Sequence, residues 1–108
     1  MRIEFVEGSL AAQPSFERYM NESTAAGAVP LRFECAATSA VSDGEIAAKA
    51  EDALEQRAQE EEAEILPSTI VATRMEEPSG HRRYRVLAIA RLRKPDVARV
   101  VVRVEADP

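Results

Sequence analysis

Tryptophan is absent, cysteine and histidine occur once each, and four glycines are spread over 108 residues. Each scarcity closes a route. A single cysteine, Cys35, excludes an intramolecular disulfide and a cysteine-rich zinc site, and it fits a reducing compartment. A single histidine, His81, leaves any His-based metal site or catalytic triad resting on one residue in the turn after Gly80. The glycines, at 8, 27, 44 and 80, are too dispersed for a dinucleotide or nucleotide phosphate loop. There is no run of about 18 apolar residues that could span a bilayer. The opening MRIEFVEGSL puts acidic residues where a secretory signal needs an apolar stretch. These absences lead us to expect a cytoplasmic protein with no cofactor, no metal, no membrane partner and no small-molecule ligand.

What is present is charge, unevenly placed. Net charge is −5, and 31% of residues are charged against 45% hydrophobic, the profile of a globular domain. Residues 1–67 hold 5 basic and 14 acidic side chains, net −9, whereas 68–108 hold 9 basic and 5 acidic, net +4. Between Arg82 and Arg103 there are 8 basic residues and one acid, Asp96. One domain, 1–108, fits this length.

Periodicity supplies the elements. In RRYRVLAIARLRK the even positions Tyr84, Val86, Ala88, Ala90 and Leu92 are apolar, while the odd positions Arg83, Arg85, Leu87, Ile89, Arg91 and Arg93 are mixed, a period of two that reads as a strand over Arg82–Arg93. Val97–Glu105 repeats the parity, with Ala98, Val100, Val102 and Val104 on one side and Val97, Arg99, Val101 and Arg103 on the other. Lys94-Pro95-Asp96 reads as the turn between them, giving a hairpin with one apolar and one arginine-studded face. Upstream, residues 2–7 read as a strand, 14–20 as a short helix, 31–37 as a strand with Cys35 on its apolar side, and 68–76 as a strand with two similar faces. Ser42-Asp43-Gly44-Glu45 is a capping-box pattern that starts a long helix over about 43–65. Its stripe of Ile46, Ala47, Ala50, Ala53, Leu54 and Ala58 is mostly alanine, suited to close packing on a sheet. Pro67 reads as the helix stop.

The expected fold is α+β in two layers: a mostly antiparallel or mixed sheet of about five strands, one long helix on one face, and one short helix. Up to the fourth strand the element order is similar to the βαβαββ topology of Alba-type nucleic-acid-binding proteins and of the C-terminal domain of a bacterial initiation factor. That resemblance lies in element order and implies nothing about function by itself.

No residue set points to catalysis. His81 reads as a solvated loop residue and Cys35 as a small core residue, while Glu51 and Glu55, four apart on a helix, read as solvated surface. The expectation is therefore a non-enzymatic protein-interaction or self-assembly domain, forming a homo-oligomer or joining a larger protein assembly. Its contact face would comprise Arg83, Arg85, Leu87, Ile89, Arg91, Arg93, Arg99, Val101 and Arg103. An acidic helix end, Glu60, Glu61, Glu62 and Glu64, would be the complementary surface. Arginine suits bidentate pairing with carboxylate or phosphate, so nucleic-acid binding through the Arg82–Arg103 hairpin is the alternative reading. An acidic inhibitor occupying a nucleic-acid-binding protein is a further one.

Overall fold

The computed structural model describes residues 1–93. Along them run β1 (Val6–Glu7), a 3-10 turn (Leu10–Ala12), α1 (Ser15–Ser23), β2 (Ala28–Ala37), α2 (Asp43–Glu60), β3 (Ala63–Glu76) and β4 (Arg82–Leu92). The α+β class stands, with a four-stranded sheet in the order β1-β3-β4-β2 among the described residues. The sheet is mixed: β1 runs parallel to β3, while β3 and β2 both run antiparallel to β4. The expected strand Val97–Glu105 lies outside the described residues. Its expected place beside β4 is taken, because β2 and β3 pair along both edges of β4.

The even side of β4 is the main core, as its pattern demands. Val86, Ala88 and Ala90 are fully buried and pack with Ala50, Leu54 and Ala58 of α2. Leu31 of β2, Ala63 and Ala72 of β3, and Ile3 complete the layer. At the other end Tyr84 packs with Ile46 and Ala37, and its ring meets Phe5 edge-on at 4.8 Å between centroids. Alanine on both surfaces lets helix and sheet approach closely, and Leu54 is the one large side chain the α2 stripe inserts at its centre.

α2 is shorter than the sequence suggests, ending at Glu60 rather than near Ile65. Ser42 Oγ accepts from the Glu45 amide at 3.2 Å, one of the two bonds of the expected capping box. At the far end the Glu61 and Glu62 amides donate back to the carbonyls of Arg57 and Gln59. Glu62 then turns the chain with φ 52°. That left-handed conformation lets Ala63 and Ile65 pair with Leu92 and Ala90, so the chain gains sheet instead of another helical turn. A side chain in this region costs about 1–2 kcal/mol, so Glu62→Gly is expected to raise the unfolding free energy by about 0.5–1 kcal/mol. Urea denaturation checks it.

Pro67 is therefore not a helix stop but part of a bulge in β3. The register slips between Leu66, opposite Ile89, and Val71, opposite Leu87. Four residues of β3 there face one of β4, where a proline without N–H is tolerated. The slip also swaps parity. Ala63 and Ile65 share the α2 side with Ala90, but beyond the bulge it is Ala72 and Arg74 that do. Thr69, fully buried, repairs the ladder: its Oγ accepts from the Ile89 amide at 2.9 Å and donates to the Leu66 carbonyl at 2.7 Å. Thr69→Val keeps the shape and orphans that buried amide, with an expected loss of about 1–3 kcal/mol in the same assay.

α1 is the larger departure. It lies on the odd side of the sheet, touching β3, β4 and β2, so the sheet is flanked by helices on both faces rather than forming two layers. Ser23 Oγ donates to the Met20 carbonyl and Thr24 Oγ1 to that of Asn21. These bonds hold a last turn that the sequence reads as loop. The Gln13 side chain ties the segment down by donating to the Ala72 carbonyl at 3.0 Å.

Candidate interaction surface

The arginine face is not the open surface its pattern suggests. Leu87 and Ile89, expected as apolar docking contacts, are 7% and 0% exposed on the side that α1 covers. Arg91 Nη2 donates to Glu22 of α1 at 2.7 Å. Arg85 Nε lies 2.6 Å from Glu34 of β2, and Arg83 Nε 2.8 Å from Glu77. Three of the expected interaction arginines thus hold carboxylates of their own chain. Arg93 is exposed just beyond the end of β4, and Arg99, Val101 and Arg103 lie outside the described residues.

The acidic helix end is also dispersed. Glu60 and Glu61 are on the last turn of α2 and its cap, 3.6 and 3.2 Å from Arg57. Glu62 is the left-handed turn residue, and Glu64 belongs to β3, opposite Arg91. The four do not form one helical patch.

A polar cluster that the sequence does not disclose sits at the start of α2. Asp43 accepts from the Tyr84 hydroxyl at 2.6 Å, from Arg82 Nη1 at 3.0 Å, and from Arg74 Nη1. Arg82 also donates to the carbonyls of Thr38 and Val41. The Tyr84 hydrogen bond, with the two guanidinium groups, holds the Asp43 carboxyl below the usual carboxylate range despite partial burial. Burial and the same hydrogen bond push Tyr84 up to about 12. The carboxylate and phenol are thus fixed in opposite protonation states, an arrangement that pins the helix start to β3 and β4.

Cys35, on the α2 side of β2, is half-buried, and burial raises its pKa while Lys49 pulls weakly the other way. The thiol is therefore held protonated at neutral pH. His81 is exposed, with Nδ1 3.1 Å from Ser79 Oγ in the β3–β4 turn. Among the described residues no three His, Cys, Asp or Glu side chains gather as a metal site, and no helix is long and apolar enough to cross a membrane.

The outer edge of β2 has no strand beside it among the described residues. Pro30 stands opposite Ile89, and the amide of Ile89 points to Thr69 on β3, away from β2. Pro30 and Ile89 are therefore a pair without mutual hydrogen bonds, and the one polar backbone group of Pro30, its carbonyl, points outward. By the period of two, the amides and carbonyls of Arg32, Glu34 and Ala36 point outward as well, while Leu31, Phe33 and Cys35 bond β4. The Leu92 amide donating to the Gly27 carbonyl at 2.9 Å fits the same parity. Among the described residues nothing pairs with this edge, and the half-buried Val29, Phe33 and Cys35 lie along its α2 side.

In comparisons with protein-family models, curated proteins and solved structures, nothing matches this chain.

Proposed function

We propose that the chain is a non-catalytic self-assembly domain whose contact surface is the outer edge of β2. The observation that carries this reading is the row of outward backbone groups at Arg32, Glu34 and Ala36, beside apolar side chains that the fold leaves half-covered. Such an edge templates the addition of another strand, with main-chain bonds giving affinity and flanking side chains giving selectivity. The chemistry of the most perturbed groups also favours binding over catalysis. Asp43 is locked as a carboxylate and Cys35 as a thiol, so neither is poised to exchange protons near neutrality.

The arginine face carries less of the argument than its sequence implies. To bind phosphate, Arg83, Arg85 and Arg91 would first have to release carboxylates held at 2.8, 2.6 and 2.7 Å, which weighs against the nucleic-acid reading. The pairing of Arg57 with Glu60 and Glu61 weighs likewise against an acidic decoy surface.

Light scattering on eluting protein tests the reading. Molar mass is expected to rise above that of one chain with concentration and to persist at high salt, because backbone hydrogen bonds and apolar contact are not screened as exposed charges are. Arg32→Pro removes an outward amide and no bond to β4, so it is expected to keep the fold and lose the association. Dissociation by salt would return the contact to the charged face, and a monomer throughout would remove the reading.

A further inference from the structure

The outer row of β2 carries a charge pattern complementary to itself. Arg32 and Glu34 are successive outward residues of opposite sign, and they lie on the α1 side of the sheet, opposite Leu87 and Arg85. Glu34 holds Arg85 Nε at 2.6 Å toward β4. Arg32 Nε is 3.9 Å from Glu34 of its own strand, and its side chain is 71% exposed. Between them, on the α2 side, Phe33 is half-buried against the core. The opposite boundary of the sheet is less open. β1 there is two residues long, and β3 carries its bulge between Leu66 and Val71, devices that discourage strand addition.

We propose that β2 pairs with β2 of a second copy, antiparallel about a two-fold axis at Phe33, so that two four-stranded sheets join into one. The inference rests on the reading of β2 as the association edge and names its occupant and register. Backbone geometry restricts the choice: residues exchange bonds across the seam only where both point outward, so even positions must face even positions. Arg32 facing Arg32, or Glu34 facing Glu34, sets like charges directly opposite, which destabilises a strand pair. Placing Cys35 on the axis moves Arg32 opposite Thr38, past the end of β2. Arg32 facing Glu34 of the second copy satisfies both charges, and the two-fold axis repeats the pair. Pro30 then faces Ala36 of the second copy and has only to accept from its amide, which suits a residue without an N–H.

The two faces of this seam differ in character. On the α1 side, Glu34 lies between Arg85 of its own chain and Arg32 of the second copy, one carboxylate shared by two guanidinium groups. On the α2 side, Phe33 meets its counterpart at a pair without mutual hydrogen bonds, where Cα atoms approach to about 4.5 Å and side chains are closest. That contact covers ring surface the single chain leaves half-buried. The contact is isologous and closes at two copies. The joined sheet then ends at both sides in the short β1, which offers little to a further strand.

Cross-linking and charge exchange in the full chain test the proposal, each variant first being shown folded by circular dichroism. Phe33→Cys/Cys35→Ala sets two thiols across the axis, within the Cα separation of about 4.4–6.8 Å that a disulfide needs. With diamide as oxidant it is expected to run as a covalent pair on a non-reducing gel. Wild-type Cys35, about 14 Å from its counterpart by four residue rises along the strand, is expected to stay unlinked. Arg32→Glu and Glu34→Arg each set like charges at both seam pairs. Alone, each is expected to associate about ten- to a hundredfold more weakly than the wild type. Mixed, they are expected to recover as a one-to-one pair in native mass spectrometry, an arm that stands even if the Phe33→Cys chain fails to fold. A cross-link at Cys35 instead of position 33 overturns the register. Failure of the mixture to recover, with an association that Arg32→Pro abolishes, overturns the pairing of β2 with itself and leaves the edge as the contact. Association that survives Arg32→Pro overturns the edge reading, and a monomeric wild type overturns both.

Discussion

Leu54→Ala is expected to lower the unfolding free energy by about 3–5 kcal/mol, a large share of the roughly 5–15 kcal/mol that holds a domain together. Leu54 is 1% exposed and belongs to a core cluster dominated by alanine, with Ala50 and Ala58 on its own helix and Ala63, Ala72, Ala88 and Ala90 on the sheet, beside Ile3, Leu31 and Val86. The alanine methyl groups, fixed to the backbone, cannot swing into the vacated volume, so most of the cavity penalty is felt. Leu54→Met, which conserves volume, is expected to cost less than about 1.5 kcal/mol. Urea denaturation at one fixed protein concentration compares the three chains, since association shifts apparent stability. Equal losses for alanine and methionine would show that the helix is not seated through this side chain.

Asp43→Ala is the second large effect, expected at about 2–3 kcal/mol. The substitution leaves the Tyr84 hydroxyl and two guanidinium groups without their shared acceptor, and bonds to a charged partner are worth about 1.5–3 kcal/mol each. The Asp43 side chain is 36% exposed, so water replaces part of what is lost and the sum is well below additive. The pH dependence separates charge from packing. The folded-state pKa of Asp43 lies below its unfolded value, so its contribution is present above the unfolded pKa and lost as pH falls through the folded one. Tyr84 works in the other direction. Raised to about 12, it contributes stability fully present below its unfolded pKa near 10 and lost as pH rises through 12. Stability measured from pH 7 down to 2 is expected to fall less steeply in Asp43→Asn than in the wild type. Identical acid limbs would contradict the role of this carboxylate.

Elements set by local pattern were legible in the sequence, and those set by long-range pairing were not. The even face of β4 and the alanine stripe of α2 are both periodic, and they meet as their periods require. β3 read as a strand with two similar faces because the bulge at Pro67–Ile70 exchanges its faces halfway, which no single period can show. The arginines of β4 were visible, but their partners Glu22, Glu34 and Glu77 come from α1, β2 and the β3–β4 turn. A contact face was therefore inferred where ion pairs and a helix already sit. The Asp43 cluster was hidden for the same reason: the capping box marked Ser42 and Glu45, while Arg74, Arg82 and Tyr84 reach Asp43 from 31, 39 and 41 residues away. That β2 is an edge among the described residues follows from strand order, which periodicity does not encode. Pro30 was a signal that could have been used, because a proline inside a strand belongs at a sheet edge.

Amide hydrogen exchange along β2 in the full chain, at high and low protein concentration, tests the central claim most directly. Leu31, Phe33 and Cys35, bonded to β4, are expected to be protected at both concentrations and serve as the internal reference. Arg32, Glu34 and Ala36 are expected to exchange slowly in concentrated protein and fast on dilution, as a strand on the outer edge leaves. Fast exchange of these three at every concentration would contradict association through this edge.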